Sequence, residues 1–206
     1  MKKQLTSIFL LCCFYANLFA QVKKVDAIKE IQTWQQELND EYKNRAKSPL
    51  NAEDFKKFEG HTFFEIDTTY RVIAKIVLSK SKVEIPFKTS TTAIQTYTKY
   101  ADLHFTLKGV KQVLAVYQSK SLMSMLEYVN YLFLPFFDET TGNETYGAGR
   151  YIDLRIPKKG NKIILDFNKA YNPYCAYATG FSCPKVPAEN ELKTKILAGV
   201  KYNITH

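Results

Sequence analysis

The spacing of apolar residues divides the chain into a helical start and a β-rich body. Ile28, Ile31, Leu38 and Tyr42 recur at the spacing of one helical face, while lysine and acidic residues occupy much of the remaining surface. Pro49 ends this pattern, because proline cannot continue a helix. We therefore expect an N-terminal amphipathic helix that packs its apolar face against the body.

Short apolar and alternating segments follow the helix and predict β-strands. Residues 70–77 place apolar side chains on both sides of the pleat, which predicts a strand buried on both faces. Residues 131–136 form another apolar run. Pro135 within that run favours an edge strand or a bulge, since proline has no N–H to give to a central ladder.

Two pairs of strand-like segments are separated by turn residues and predict β-hairpins. Thr98–Leu107 and Val110–Gln118 flank a Lys-Gly pair, and Arg150–Ile156 and Lys162–Phe167 flank a second turn that contains glycine. Hairpins with few helices indicate an antiparallel sheet. The expected fold is α+β, an antiparallel β-rich roll or sandwich with an N-terminal amphipathic helix.

The first twenty residues have the order of a secretory signal peptide. Lys2 and Lys3 precede an apolar run from Ile8 to Phe19, and Ala20 supplies a small residue for cleavage. Lipidation at Cys12 or its neighbour is disfavoured, because a bulky leucine stands where a small residue is needed. We expect cleavage after Ala20 and an exported protein, periplasmic or secreted.

The chain therefore divides into a signal peptide (1–20), an N-terminal helix (21–47) and a single β-rich domain (48–206). No later apolar run reaches the roughly 20 residues of a membrane span, so none is expected in the mature chain. The net charge of +9 is spread over lysine-rich turns and one helix. Without a basic stripe in an exported chain, nucleic acid is not an expected partner.

The segment from Thr145 to Asn190 combines glycines, polar residues and tyrosines in a mixture too polar for a core alone. Gly147 and Gly149 precede Arg150, and successive glycine N–H groups beside an arginine can bind an anion. The structural alternative is a turn or bulge, with Arg150 paired to a carboxylate of 138, 139, 153 or 166.

Arg150 and Asp153 lie on opposite faces of a regular strand, so both should not enter one pocket. Asp166, on the partner strand of the predicted hairpin, is the better candidate to face Arg150. A tyrosine-walled pocket with a polar floor is a further hypothesis, because tyrosine combines an apolar ring with an orienting hydroxyl. Its proposed walls are Tyr146, Tyr151, Tyr171 and Tyr174. The alternative is that the polar residues satisfy their own loops.

Cys175 and Cys183 are expected to form a disulfide in an oxidising compartment. Two alternatives stay open. A metal site would need more ligands than the few histidines supply, and a nucleophilic Cys175 would need a basic partner such as His104. No cofactor motif or metal site is expected, since the GAGR sequence lacks the strand–turn–helix context of a nucleotide loop.

The runs TYGAGRYIDL, DFNKAYNPYCAY, CPKVPAEN and AGVKY resemble the signature of the domain of unknown function 1684 family. The resemblance extends from about residue 48 to 201, with Val186-Pro187 standing where the family usually has paired prolines. It implies no activity. It marks as pattern positions, without roles, Arg150, Asp153, Asp166, Asn168, Tyr171, Asn172, Cys175, Cys183 and Asn190.

Three hypotheses for function remain open. The first is a noncatalytic module that binds a small anionic or sugar-like ligand. The second is a hydrolase-type enzyme that uses Asp153 or Asp166 as acid or base, or Cys175 as nucleophile. The third is a structural or assembly protein without a small-molecule site. The candidate ligand-binding residues are Gly147, Gly149, Arg150, Asp153, Asp166, Asn168, Tyr171, Asn172 and Asn190.

Overall fold

The computed structural model describes residues 24–202, so the expected signal peptide and its cleavage site lie outside the described residues. Helix α1 spans 24–43, and a short helix α2 spans Ala52–Lys57. Ile31 and Tyr42 of α1 are buried, which confirms that the N-terminal helix is amphipathic and packed on the body. Within residues 24–202, no helix is long and apolar enough to cross a membrane.

The body is a seven-stranded sheet in which all the strand pairs are antiparallel. Its order is β6-β5-β4-β3-β1-β7, with β2 beside β3. The sheet curls into a half-barrel, which confirms the expected α+β, β-rich roll. The strands are β1 (Arg71–Leu78), β2 (Glu84–Lys88), β3 (Ile94–Leu107), β4 (Val110–Ser119), β5 (Tyr131–Phe136), β6 (Arg150–Arg155) and β7 (Lys162–Asp166).

The hairpin of β3 and β4 forms as predicted. Lys108 and Gly109 have φ angles of 48° and 82°. Two positive φ angles in a two-residue loop match the right-handed twist of the flanking strands. The turn therefore sets the register, with Leu107 opposite Val110.

The second predicted hairpin is wrong. β6 pairs with β5 and β7 pairs with β1, so the two strands lie at opposite ends of the strand order. The apolar face of β6 is satisfied by β5, with Leu154 opposite Leu132 and Ile152 opposite Leu134 in the core. The burial of apolar side chains between β5 and β6 therefore determines which strand β6 pairs with. A local sequence pattern does not reveal this contact.

The two edges of the half-barrel meet through Tyr151 and Tyr171. Tyr171 lies just beyond β7, and its N–H donates to the Tyr151 carbonyl at 2.9 Å, while the Tyr151 N–H donates back at 2.9 Å. This two-bond bridge joins β6 to the chain that leaves β7. It therefore fixes both tyrosines where the sheet curls back on itself.

Strand β1 is buried on one face only, which corrects the expectation of two buried faces. Ala74 and Ile76 face the core, whereas Ile73 is 67% exposed and Val77 is also exposed. The apolar residues on the outer face are therefore a surface feature of the sheet and do not belong to a second core layer.

Pro135 does not mark a sheet edge, because β5 lies between β4 and β6. Instead, β4 and β5 pair only at Tyr117 and Phe133, and the Asn190 side chain enters between them. Asn190 Nδ2 donates to the carbonyls of Pro135 and Ala115 at 2.7 and 2.8 Å, and its Oδ1 accepts from the Ala115 N–H at 2.7 Å. The amide thus replaces strand hydrogen bonds.

Candidate functional site

A cavity of about 620 Å³ lies between α1, the outward side chains of β5 and β6, and the loop that follows β7. We call it the Asp153 cavity after the carboxylate exposed in it. Its volume falls within the range of sites that bind small molecules. The aromatic residues that line it are Trp34, Tyr42, Tyr97, Tyr128, Tyr131, Phe133, Tyr151, Tyr171, Tyr174 and Phe181.

Strand pleating brings Asp153 into this cavity and keeps Arg150 out of it. Arg150 and Ile152 point to the main core, whereas Tyr151 and Asp153 point to the cavity. The hydroxyls of Tyr131 and Tyr171 each donate to Asp153 Oδ1 at 2.7 Å. The carboxylate is therefore oriented by two side chains from different parts of the sheet.

Asp153 is solvent-exposed at the cavity. Desolvation raises the pKa of its carboxyl above the usual value, while the two tyrosine hydrogen bonds and the Arg155 charge act in the opposite direction. The pKa of Tyr171 is raised well above 10, first by burial and then by the Asp153 charge. Tyr171 is therefore a neutral donor at physiological pH.

Helix α1 supplies a second carboxylate. The Tyr174 hydroxyl donates to Glu41 Oε1 at 2.7 Å, which ties the helix to the loop after β7. Burial, followed by this hydrogen bond, raises the pKa of Tyr174. The cavity is thus walled by a helix and a loop that are bonded to each other.

The charged residues lining the cavity are all acidic, namely Glu37, Glu41 and Asp153. The nearby Arg155 lies outside the lining, with its guanidinium carbon 5.4 Å from the Tyr131 ring centroid. It also donates to the carbonyl of Glu127. The site is therefore aromatic and acidic, although the chain as a whole is basic.

Arg150 is a buried structural residue, with 1% of its surface exposed. Its guanidinium donates to Asp138 Oδ1 at 3.2 Å, to the Ile196 carbonyl at 3.0 Å and to the Ala198 carbonyl. Desolvation lowers its pKa, and the charge of Asp138 opposes that shift. Arg150 therefore holds the C-terminal segment and has no access to the Asp153 cavity.

The predicted pairing of Arg150 with Asp166 is wrong. The two residues lie on strands at opposite ends of the order, and Asp166 Oδ2 instead accepts from Arg71 Nη1 at 2.7 Å. Arg71 stands directly opposite Asp166 in the β1–β7 register. The partner of Asp166 is therefore its cross-strand neighbour Arg71. Asp166 also lies outside the lining of the Asp153 cavity.

Of the two glycines before Arg150, Gly149 is required by close packing. Gly149 has φ of 88°, and a Cβ there would lie 2.7 Å from Val186 Cγ2 and 2.8 Å from the Phe136 carbonyl oxygen. Its N–H donates to the Tyr146 carbonyl at 3.0 Å, so it is already used in the turn. Gly147 has no such close contact, with Gly142 Cα 3.8 Å from a built Cβ.

The candidate asparagines fix loops. Asn168 donates to the Asp67 carbonyl and to Asp166 Oδ1 at 3.0 and 2.8 Å. Asn172 donates to the Tyr177 hydroxyl at 2.9 Å. Together with Asn190 between β4 and β5, these amides position the chain around the cavity without entering it.

Cys175 and Cys183 are joined by a disulfide, as expected. The disulfide excludes Cys175 as a nucleophile, because nucleophilic attack requires a free thiolate and the sulfur is bonded to Cys183. Ser90 anchors the bridged loop, accepting from the Cys183 N–H at 3.0 Å and donating to the Phe181 carbonyl at 2.7 Å. In the part of the chain that the structure describes, no cluster of residues could hold a metal ion.

Sequence reasoning found part of the lining and missed the helix. Of the four predicted tyrosines, Tyr146 packs on Tyr202 and lies outside, while the other three line the cavity. Trp34, Glu37 and Glu41 were missed. Their spacing of three and four residues places them on one helical face, next to the apolar face that predicts the amphipathic helix. This spacing is the sequence signal that could have identified them.

Comparison with known proteins gives a family but no activity. The chain belongs to the family described as "Protein of unknown function (DUF1684)", which matches residues 56–201. No curated protein matches it. A solution NMR structure of an uncharacterized protein from Haloarcula marismortui is similar, with 32% identity and a TM-score of 0.68, over 89% of this chain and 98% of that one.

Proposed function

We propose that this protein is a noncatalytic module that binds a small, sugar-like ligand in the Asp153 cavity. The observation that carries the proposal is a ligand-sized cavity whose exposed carboxylate is held by the hydroxyls of Tyr131 and Tyr171. Aromatic rings can pack on the C–H faces of a sugar, and carboxylate oxygens accept its hydroxyl groups.

The same lining favours sugar-like ligands over the anionic ligands expected from the sequence. The proposed anion site depended on Arg150, which is buried and bonded to Asp138 and two carbonyls. The Asp153 cavity is lined by acids and has no lysine, arginine or histidine in its described lining. A free anion there would meet like charges in a partly desolvated space.

We propose that binding takes place outside the cytoplasm. Support comes from the signal-like residues 1–20 and from the Cys175–Cys183 disulfide, which suits an oxidising compartment. The bridged loop contributes Phe181, Ser182 and Cys183 to the lining. An oxidising environment would thus maintain one wall of the site.

A second candidate function is hydrolysis with Asp153 as a general acid or base. The observation that favours it is a carboxylate held in a cavity by two tyrosine hydroxyls, where desolvation raises its pKa. Asp166 is bonded to Arg71 elsewhere, so the second carboxylate would have to be Glu41. Turnover of a glycoside, abolished by Asp153→Asn while binding persists, would support the enzyme over the module.

NMR titration with neutral sugars tests the proposed module. Glucose and a small set of disaccharides should shift resonances of cavity residues such as Tyr131 and Tyr171 in a saturable manner. Asp153→Asn should weaken binding about tenfold, because a hydrogen-bond acceptor loses its charge. Glu65→Gln, at an exposed carboxylate outside the lining, is the matched control. Shifts confined to other surfaces would contradict the proposed site.

A further inference from the structure

We infer that the group recognised in the Asp153 cavity is an organic ammonium ion, free or carried on a sugar-like molecule. This inference rests on the proposed binding function of the same cavity and adds the charge of the ligand. Three features of the lining point to a cation: the sign of its charged residues, the direction of its hydrogen bonds and the arrangement of its rings.

The first feature is charge. Glu37, Glu41 and Asp153 line the cavity, and no basic side chain joins them among the described lining residues. The whole chain has a net charge of +9, so its acids are outnumbered and their collection here is not a consequence of composition. Acids gathered in a cleft with protein walls focus a negative potential that attracts a cation.

The second feature is the direction of the hydrogen bonds. The hydroxyls of Tyr131 and Tyr171 donate to Asp153, and the hydroxyl of Tyr174 donates to Glu41. These three donors are therefore committed to the protein. Asp153 Oδ2 receives no hydrogen bond from any residue between 24 and 202. The floor thus offers acceptor atoms, which an ammonium group complements.

The third feature is the arrangement of the rings. Tyr151 and Tyr171 are nearly perpendicular, at 89°, with centroids 5.9 Å apart, and Phe133 meets Tyr151 at 76° and 4.7 Å. On the helix side, Tyr42 and Tyr174 meet at 67°. These rings meet edge to face in the cavity lining, and a cation held within about 6 Å of a ring face is stabilised by cation–π attraction.

Arg155 is the main positive charge near this site and must be considered as a competitor. Its charge lowers the pKa of Asp153, whereas Glu41 raises it. Among the described residues Arg155 makes no ion pair with Asp153, and its Nη1 donates to the Glu127 carbonyl and to Asn130 Oδ1. It leaves the cavity floor available to a cation from outside.

Two matched pairs of probes test the charge of the ligand by calorimetry. Choline and 3,3-dimethylbutan-1-ol have nearly the same shape, but only choline is charged. Glucosamine below its amine pKa and glucose form the second pair. We expect the charged member of at least one pair to bind at least tenfold more tightly than the neutral member. Affinity should fall as the pH is lowered, because protonation of Asp153 removes its charge.

Variants locate the effect and separate the two proposals. Asp153→Asn should weaken binding of the charged probe at least tenfold, and Glu65→Gln should leave it unchanged. If Asp153→Asn fails to fold, the comparison of charged and neutral probes on the wild-type protein still decides whether the site prefers a cation. Equal binding of both members, or binding of glucose alone, would overturn the cation inference while leaving the module intact. No binding of any probe would overturn both.

A second experiment, the sedimentation of the protein with lipid vesicles, distinguishes a lipid headgroup from a soluble ligand as the source of the ammonium group. Vesicles of phosphatidylcholine and of phosphatidylglycerol are compared with free choline. Sedimentation of the protein with phosphatidylcholine alone would indicate a lipid headgroup. Binding of free choline without such sedimentation would indicate a soluble ligand, and sedimentation with the anionic vesicles alone would contradict recognition of an ammonium group on a membrane.

Discussion

Two neighbouring charged residues of β6 have opposite roles because strand pleating separates them. Arg150 points to the core, where it donates to Asp138 and to two backbone carbonyls, whereas Asp153 points to the cavity and receives no hydrogen bond on Oδ2 from residues 24–202. The sequence predicted this separation from the odd spacing of the two residues. It did not predict that Asp138 would be the partner of Arg150, because that contact depends on how a distant loop returns to the sheet.

Replacing Arg150 tests its structural role. Arg150→Ala should lower the free energy of unfolding by about 3–5 kcal/mol, because Asp138 is left buried without its partner. Urea denaturation measures the loss. Arg155→Ala, at an exposed arginine, should cost much less. A loss below about 1 kcal/mol for Arg150→Ala would contradict the buried pair.

The Asp153 carboxyl should titrate above the ordinary aspartate range. Tyr171→Phe should raise its pKa further, because it removes one hydrogen bond to the charged form. NMR of the labelled carboxyl measures both values. The folded state holds this proton more tightly than the unfolded state. Its contribution to stability is therefore full below the ordinary pKa and is lost as the pH rises through the raised value. An ordinary pKa of Asp153 in the wild type would contradict desolvation of this carboxyl in the cavity.

At the scale of elements, the sequence predicted correctly those features that depend on residues close together in the chain. The β3–β4 hairpin followed from Lys108 and Gly109, whose backbone angles define the turn. The predicted pairing of β6 with β7 was wrong. β6 pairs with β5 and β7 pairs with β1, because these contacts stabilise the strands more than a hairpin closed by the short turn between them. The helix wall of the cavity was also missed, since a polar helical face is usually solvated and only tertiary packing turns it toward a site.

The disulfide should contribute to the stability of the loop that walls the cavity. Cys175→Ser and Cys183→Ser should each lower the free energy of unfolding by roughly 2–3 kcal/mol, since each opens the same short loop. Chemical denaturation compares the two variants, and reductant should destabilise the wild type but not the double variant. Two alkylatable thiols in the oxidised protein, or unequal losses, would contradict a shared bridge.

At the scale of the whole molecule, the half-barrel places its cavity where β6 approaches the chain that leaves β7. The Tyr151–Tyr171 bridge joins these edges, and α1 covers the opening beside it. The sequence predicted the fold class and much of the loop side of the site. It placed the ligand at Arg150, because charge alone does not reveal which residues become buried.

Export is a prediction that belongs to the whole chain. The signal-like residues 1–20 should be removed on secretion, so N-terminal sequencing of the exported protein should begin at Gln21. Expression without that segment in a reducing cytoplasm should yield protein with free thiols. An intact Met1 or a lipid on Cys12 in the exported product would contradict cleavage.

The most direct test of the central claim is the pKa of Asp153 with and without saturating choline. A cation bound beside this carboxylate favours its ionised form, and by linkage the pKa must fall when the probe binds. The proposed site therefore predicts a lower Asp153 pKa in the presence of choline and no change with 3,3-dimethylbutan-1-ol. An Asp153 pKa that stays the same while choline binds would contradict it.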